Sequence, residues 1–149
     1  MDYAKQPLLS DMYKYSNTIT NGAEKLIDGI ENIEMFLGNE DLWNFHDSDI
    51  YALHFDRKSS VFTCTLELCG CDFSKLEGKK KEDSVLLDFN FEGCIDIHML
   101  DVDPWNMYLM EIEMSIYNGF IQCWFNGPAI RITSRRLRVD KPRIVAKPT

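Results

Sequence analysis

The side chains best suited to chemistry in this chain are grouped at His46, Asp47 and Asp49, in the run W-N-F-H-D-S-D. Imidazole nitrogens and carboxylate oxygens are the ligands that hydrolytic sites offer divalent ions, and a working site needs three or more of them. The other histidines, His54 and His98, fall in strand-like segments. A metal centre would therefore require His46, Asp47 and His98, with Asp96, to converge in space. The competing reading is architectural. Asp47 accepts backbone N–H groups in a tight turn, His46 is tethered beside it, and Trp43 and Phe45 plug the core below. We read Trp43, Phe45, His46 and Asp47 as that structural turn, and expect no metal, cofactor or catalytic residue. A small metal-dependent hydrolase using His46 and Asp47 is the alternative.

Other reactive patterns are missing or better explained by structure. There is no G-x-S-x-G elbow and no glycine-rich phosphate loop. Cys64 and Cys123 sit inside apolar strand patterns, and C-x-C at Cys69–Cys71 is not the C-x-x-C spacing of zinc or redox sites. Glu111 and Glu113 lie two apart on a strand and read as a solvated face. Lys79, Lys80 and Lys81 read as a loop tip, and the arginines from Arg131 to Arg143 have no interleaved aromatics on which bases could stack. Those arginines suit pairing with an acidic sheet or a dimer contact. Trp105, in D-V-D-P-W-N between Asp101 and Asn106, is placed either to grip a partner or to fold back onto the core.

The elements that must position these residues follow from periodicity. Residues 1–20 show no clear period and read as an arm or short helix. Residues 21–38 repeat apolar side chains at helical spacing (Leu26, Ile27, Ile30, Ile33, Leu37), with Asn21 as N-cap, Gly38 as stop and Gly29 a weak point that could divide the segment. The period then drops to two. Strands are expected at 50–56, with a bulge near Tyr51–Ala52 aiming Ile50, Leu53 and Phe55 inward, and at 61–68, 85–91, 94–100, 108–117, 120–125 and 129–139. Asn118-Gly119 marks a type I′ hairpin. Residues 140–149 form a basic tail that stays loose or adds an edge strand. The sum is one α+β domain over 1–149. It is mainly an antiparallel β-sheet of about seven strands, sandwich-like or a partly open barrel, with one or two N-terminal helices.

The bulk numbers agree with a soluble domain. With 149 residues, 45% of them hydrophobic, the chain can build a core without disulfides or metal. Its five cysteines and the absence of an apolar leader or membrane-length run point to the cytoplasm. Charge is uneven: residues 131–149 carry seven Lys/Arg against Asp140, a net +6, and the rest carry nine against twenty-three, a net −14. That body repels nucleic acid and suits a basic protein partner, and it also serves solubility.

The stretch W-N-F-H-D-S-D-I-Y-A-L-H-F-D-R at Trp43–Arg57 resembles the opening motif of bacterial immunity protein 50. The resemblance continues through Val61–Leu68, F-N-F-E-G-C-I-D-I at Phe89–Ile97, the Asn118-Gly119 hairpin and the strand with Ile130 and Ile132. It covers roughly residues 35 to 135 and leaves out the first twenty residues and the basic tail. It implies a small cytoplasmic protein, monomer or homodimer, that neutralises a cognate toxin by binding it. It transfers no catalytic residue. Asp101, Asp103, Trp105, Glu111 and Glu113 are the candidate partner-binding residues. A purely structural, oligomer-forming subunit is the remaining alternative.

Overall fold

A computed structural model describes Ile19 and Phe45 and residues 22–36, 47–109 and 111–147, with Asp101 described in its backbone alone. The expected N-terminal arm apart from Ile19, the Asn21 cap, the Gly38 stop, Trp43 and His46 lie outside the described residues. The chain forms β1 (Ile27–Asp28), α1 (Glu31–Glu34), β2 (Asp49–Asp56), β3 (Val61–Glu67), β4 (Ser84–Asp101), β5 (Glu111–Tyr117), β6 (Phe120–Asn126), β7 (Ala129–Val139) and β8 (Arg143–Val145). A short 3-10 turn, Ala23–Leu26, precedes β1. All eight strands belong to one sheet in the order β2-β3-β4-β7-β6-β5, with β1 beside β7 and β8 beside β4. Every pairing is antiparallel except that of β1 with β7. The mainly antiparallel fold is as expected. The strand inventory differs in that 85–91 and 94–100 are one continuous strand; the tail takes the strand alternative and supplies β8.

The alternation that marked these strands buries one face. Phe62, Cys64 and Leu66 of β3, Leu87, Phe89 and Phe91 of β4, Ile121, Cys123 and Phe125 of β6, and Ile130 and Ile132 of β7 are all buried in one cluster. The sheet does not lie flat. Phe91 pairs in register with Leu137, and Phe125 with Ile130. Seven residues of β7 separate those rungs, ~23 Å in an extended strand. Yet the Phe91 and Phe125 rings meet edge to face with centroids 6.5 Å apart. The open sheet therefore bends over until its two halves share one core. The bend lies where β4 loses regular register. Gly93 has φ of 61°, and a bulge follows between Cys94 and Asp96. A bulge adds one residue to one strand and sharpens local twist. The backbone from Asp47 to Ile50 then bonds to Met107 and Leu109, just ahead of β5, and partly seams the two ends of the sheet.

The expected helix over 21–38 is corrected. Among the described residues of that span only Glu31–Glu34 is α-helical, and Ile27–Asp28 is strand. Gly22 and Gly29 both have positive φ, which interrupts a helix on either side of β1. Beyond the end of β6, β7 leaves an edge at Leu137–Arg138, and Ile27–Asp28 fill it. Asn32 fixes the following turn by donating from Nδ2 to the Val139 carbonyl at 2.9 Å. The apolar face survives this change of backbone: Ala23, Ile27 and Ile33 are buried against the sheet.

The bulge expected near Tyr51–Ala52 is present between Ile50 and Ala52. Ile50 is buried, but Phe55 remains 44% exposed because β2 is an edge strand and nothing covers its far end among the described residues. Phe55 still leans on Phe62, its register partner, at 6.5 Å. Asn118 and Gly119 both take positive φ, as a type I′ turn requires, and join β5 to β6.

Candidate functional site

Phe45 and Asp47 have φ of 62° and 73°, a region that non-glycine residues seldom adopt. Phe45 is buried and meets Phe89 edge to face at 6.1 Å. The Asp47 N–H donates to the Leu109 carbonyl and the Ser48 N–H to the Phe45 carbonyl. Ser48, not singled out by its sequence context, is fully buried and is the clamp of this joint. Its Oγ accepts from the Cys69 N–H at 3.0 Å and tethers the β3–β4 loop. The described part of this segment, with Ser48, is thus tied to two separate pieces of backbone, at Leu109 and at Cys69. Among the described residues no group of three His, Cys, Asp or Glu converges in metal-binding fashion. His98 and Asp96 do share a face, beside Arg131. His54 is exposed on β2.

The cysteines have no disulfide partners among the described residues. Burial pushes the Cys64 and Cys123 thiols far up from their ordinary range, and half-burial raises Cys94. A thiol held protonated is a poor nucleophile. Lys79 rests over the Phe73 ring at 4.9 Å and its Nζ donates to the Lys80 carbonyl at 3.0 Å, while the Lys80 backbone N–H donates to Asp83 and shapes the loop tip.

The face away from the core carries the charge, and it is sorted along the sheet. At one end every arginine that pairs finds a carboxylate. Arg143 forks onto Asp88 with both contacts at 2.9 Å, and Asp88 also accepts from the Thr65 hydroxyl at 2.6 Å. Arg138 bridges Glu92 and Asp140, and Arg136 forks onto Asp28. That fork draws the Asp28 carboxyl below its ordinary value and raises the guanidinium. Much of the basic C-terminal segment therefore balances acidic strands within the fold.

The other end is formed by β4 past its bulge, β7 before Ser134, β6 and β5. Register sets His98, Arg131, Trp124 and Glu113 in one row across four strands, and Asp96, Thr133, Gln122 and Ser115 in the next. The Trp124 indole N–H donates to Gln122 Oε1 at 3.3 Å, and Gln122 Nε2 donates to the Thr133 hydroxyl at 3.2 Å. Arg131 donates to Asp96 Oδ2 at 3.3 Å, lies 3.5 Å from His98 Nδ1, and sits beside the Trp124 ring at 5.3 Å. Arg131 Nε is buried with no acceptor among the described residues. Glu113 and Glu111 are exposed here, and Glu111 accepts from Asn126 at 2.9 Å.

Of the residues the sequence singled out for a partner, Trp105 stands furthest into solvent. It is 94% exposed on the turn after β4, where Asp103 accepts the Trp105 N–H at 3.0 Å and pairs its backbone with Asn106. Asp103 is exposed as well. Leu100 and Tyr51 are also exposed, and a 330 Å³ apolar hollow lies nearby, lined by Ile50, Tyr51, Leu53, Val102, Pro104 and Met107. Asp101 ends β4, its side chain outside the described residues. The Arg131 cluster was not found from sequence. Its members are scattered from Asp96 to Thr133, and only the bulge in β4 brings them into one register.

No helix among the described residues is long and apolar enough to cross a membrane. No protein-family model matches the chain, and no curated protein does. A solved structure described as an uncharacterized protein from Neisseria gonorrhoeae is similar over 64% of this chain and 91% of its own, at 12% identity and a TM-score of 0.46.

Proposed function

We propose that this chain is a stoichiometric binding protein that neutralises a cognate bacterial toxin, acting in the cytoplasm as an immunity protein. Inhibition works by occlusion: the chain covers the toxin's active site or the surface next to it, and catalyses nothing. The observation that carries the reading is Trp105, a tryptophan 94% exposed on a loop shaped by its own Asp103 cap. Exposed tryptophan is costly to leave in water and is enriched among residues that dominate binding energy. The acidic Glu111 and Glu113 on β5 and the sequence resemblance at Trp43–Arg57 support the same reading. So does the net charge of −8, which suits a basic partner.

Co-expression with the toxin encoded beside its gene tests the proposal. Growth rescue and a one-to-one complex on gel filtration are expected, and Trp105→Ala should weaken both. A toxin that kills regardless of this chain, with no complex formed, sinks the reading.

A further inference from the structure

One concave feature of the acidic end of the sheet is left uncovered by the described residues. It is a depression of about 470 Å³ beside the β5–β6 hairpin. Asp96, Gln122, Thr133 and Arg131 give it a polar floor, and Tyr117, Phe120 and Ile95 give it apolar walls. Tyr117 and Ile95 are 57% and 55% exposed, far more than two large apolar side chains need to be when a wall could close over them.

Charge decides what fits. Arg131 is the only lysine or arginine in residues 94–101, 111–126 and 129–134, a span that also holds Asp96, Glu111 and Glu113. The depression itself is lined by one carboxylate, Asp96, and one guanidinium, Arg131. The Arg131 side chain is 30% exposed, engaged by Asp96 and His98 and flanked by Trp124. Asp96 is less committed. It meets Arg131 through a single oxygen at 3.3 Å and its side chain stays 50% exposed. Its Oδ1 accepts no hydrogen bond from the described residues. A cation can therefore reach an available carboxylate oxygen while its stem lies between aromatic walls.

We propose that this depression is the anchor pocket for an arginine side chain of the partner protein. Arginine fits better than lysine, because its planar guanidinium stacks on an aromatic ring while donating in the plane to Asp96. The inference rests on the protein-binding reading above and adds the chemistry of the partner residue.

The test uses the intact chain and three blocked tripeptides, acetyl-Gly-X-Gly-amide with X as arginine, its neutral isostere citrulline, or glutamate. Backbone amide shifts are followed by NMR. The arginine peptide should give saturable shifts centred on Ile95, Asp96, Tyr117 and Gln122, and the other two should give none. Asp96→Asn should weaken binding by about two- to fivefold, the value of one partly exposed ion pair. Tyr117→Ala, which leaves the Asp96–Arg131 contact in place, should weaken it in the same direction with the folded spectrum retained. Equal binding of citrulline, preference for glutamate, unsaturable shifts over the whole acidic surface, or no effect of Asp96→Asn would each overturn the pocket. The titration needs no toxin. A toxin complex that forms with no arginine binding at the pocket overturns this inference alone, and saturable pocket binding with no toxin complex overturns only the toxin reading.

Discussion

Trp105 and Asp28 illustrate how differently two exposed residues can matter. Trp105 buries almost nothing within the fold, so Trp105→Ala should change stability by less than about 0.5 kcal/mol. In the proposed toxin complex the same change should cost about 2 kcal/mol or more, roughly a thirtyfold loss of affinity. Thermal unfolding and a binding titration on the same variant check both halves, and a large loss of stability would place the side chain in the fold and not the interface. Asp28 contributes to stability through its fork with Arg136. That hydrogen bond holds the folded carboxyl below its ordinary 3.8, so the contribution is present above pH ~4 and lost as the pH falls through the lower folded value. Both partners are about half exposed, which limits the contribution to less than about 1 kcal/mol. Asp28→Asn should therefore be slightly less stable than the parent at pH 7, with the gap closing on acidification in urea titrations. A gap that widens in acid would mean that the fork does not favour the charged carboxylate.

At the scale of elements, the glycine between β1 and α1 does more than break a helix. Gly29 has φ of 81°, and a Cβ there would press into the Val139 carbonyl, the same carbonyl that Asn32 binds. Gly78 has nearly the same φ, 83°, with nothing near its missing side chain. Gly78→Ala should cost about 1 kcal/mol from conformation alone, and Gly29→Ala more, about 2–3 kcal/mol. Equilibrium denaturation of the pair separates backbone strain from collision, and equal losses would refute the collision. The same segment shows what sequence could and could not reveal. The spacing of Ile27 and Ile33 reported correctly that they are buried, since inward-facing residues are apolar in any backbone. It did not report the backbone itself, because the edge that recruits Ile27–Asp28 belongs to β7, more than a hundred residues later. Strands with strict alternation were legible for the opposite reason: Val61–Glu67 or Phe120–Asn126 write both faces of the sheet into their own residues. The Arg131 pocket depends on a one-residue bulge at Ile95; Gly93 marks an interruption there, but not the register that sets Asp96 and His98 beside Thr133 and Arg131 of β7.

For the whole molecule, the sorting of charge matters more than its total. Arginine–carboxylate pairs neutralise one end of the outer face, and the end carrying Asp96, Glu111 and Glu113 keeps an acidic surplus. A basic partner should be steered to that end, and its association rate should fall on the order of tenfold between 50 and 500 mM salt while dissociation changes little. Stopped-flow association at several ionic strengths measures this, and a salt-independent rate would argue against steering. The long strand β4 has a further consequence, in time as well as space. It takes β3 on one side, but its other side waits for β7 and finally for β8, where Ser84 meets Val145 some sixty residues on. During synthesis, β2, β3 and β4 leave the ribosome as a sheet with one long unsatisfied margin and half a core. Most of that margin stays open for a stray strand until β7 has emerged, and Ser84–Leu86 until Val145 follows, so the growing chain is most exposed to misassembly before β7 arrives.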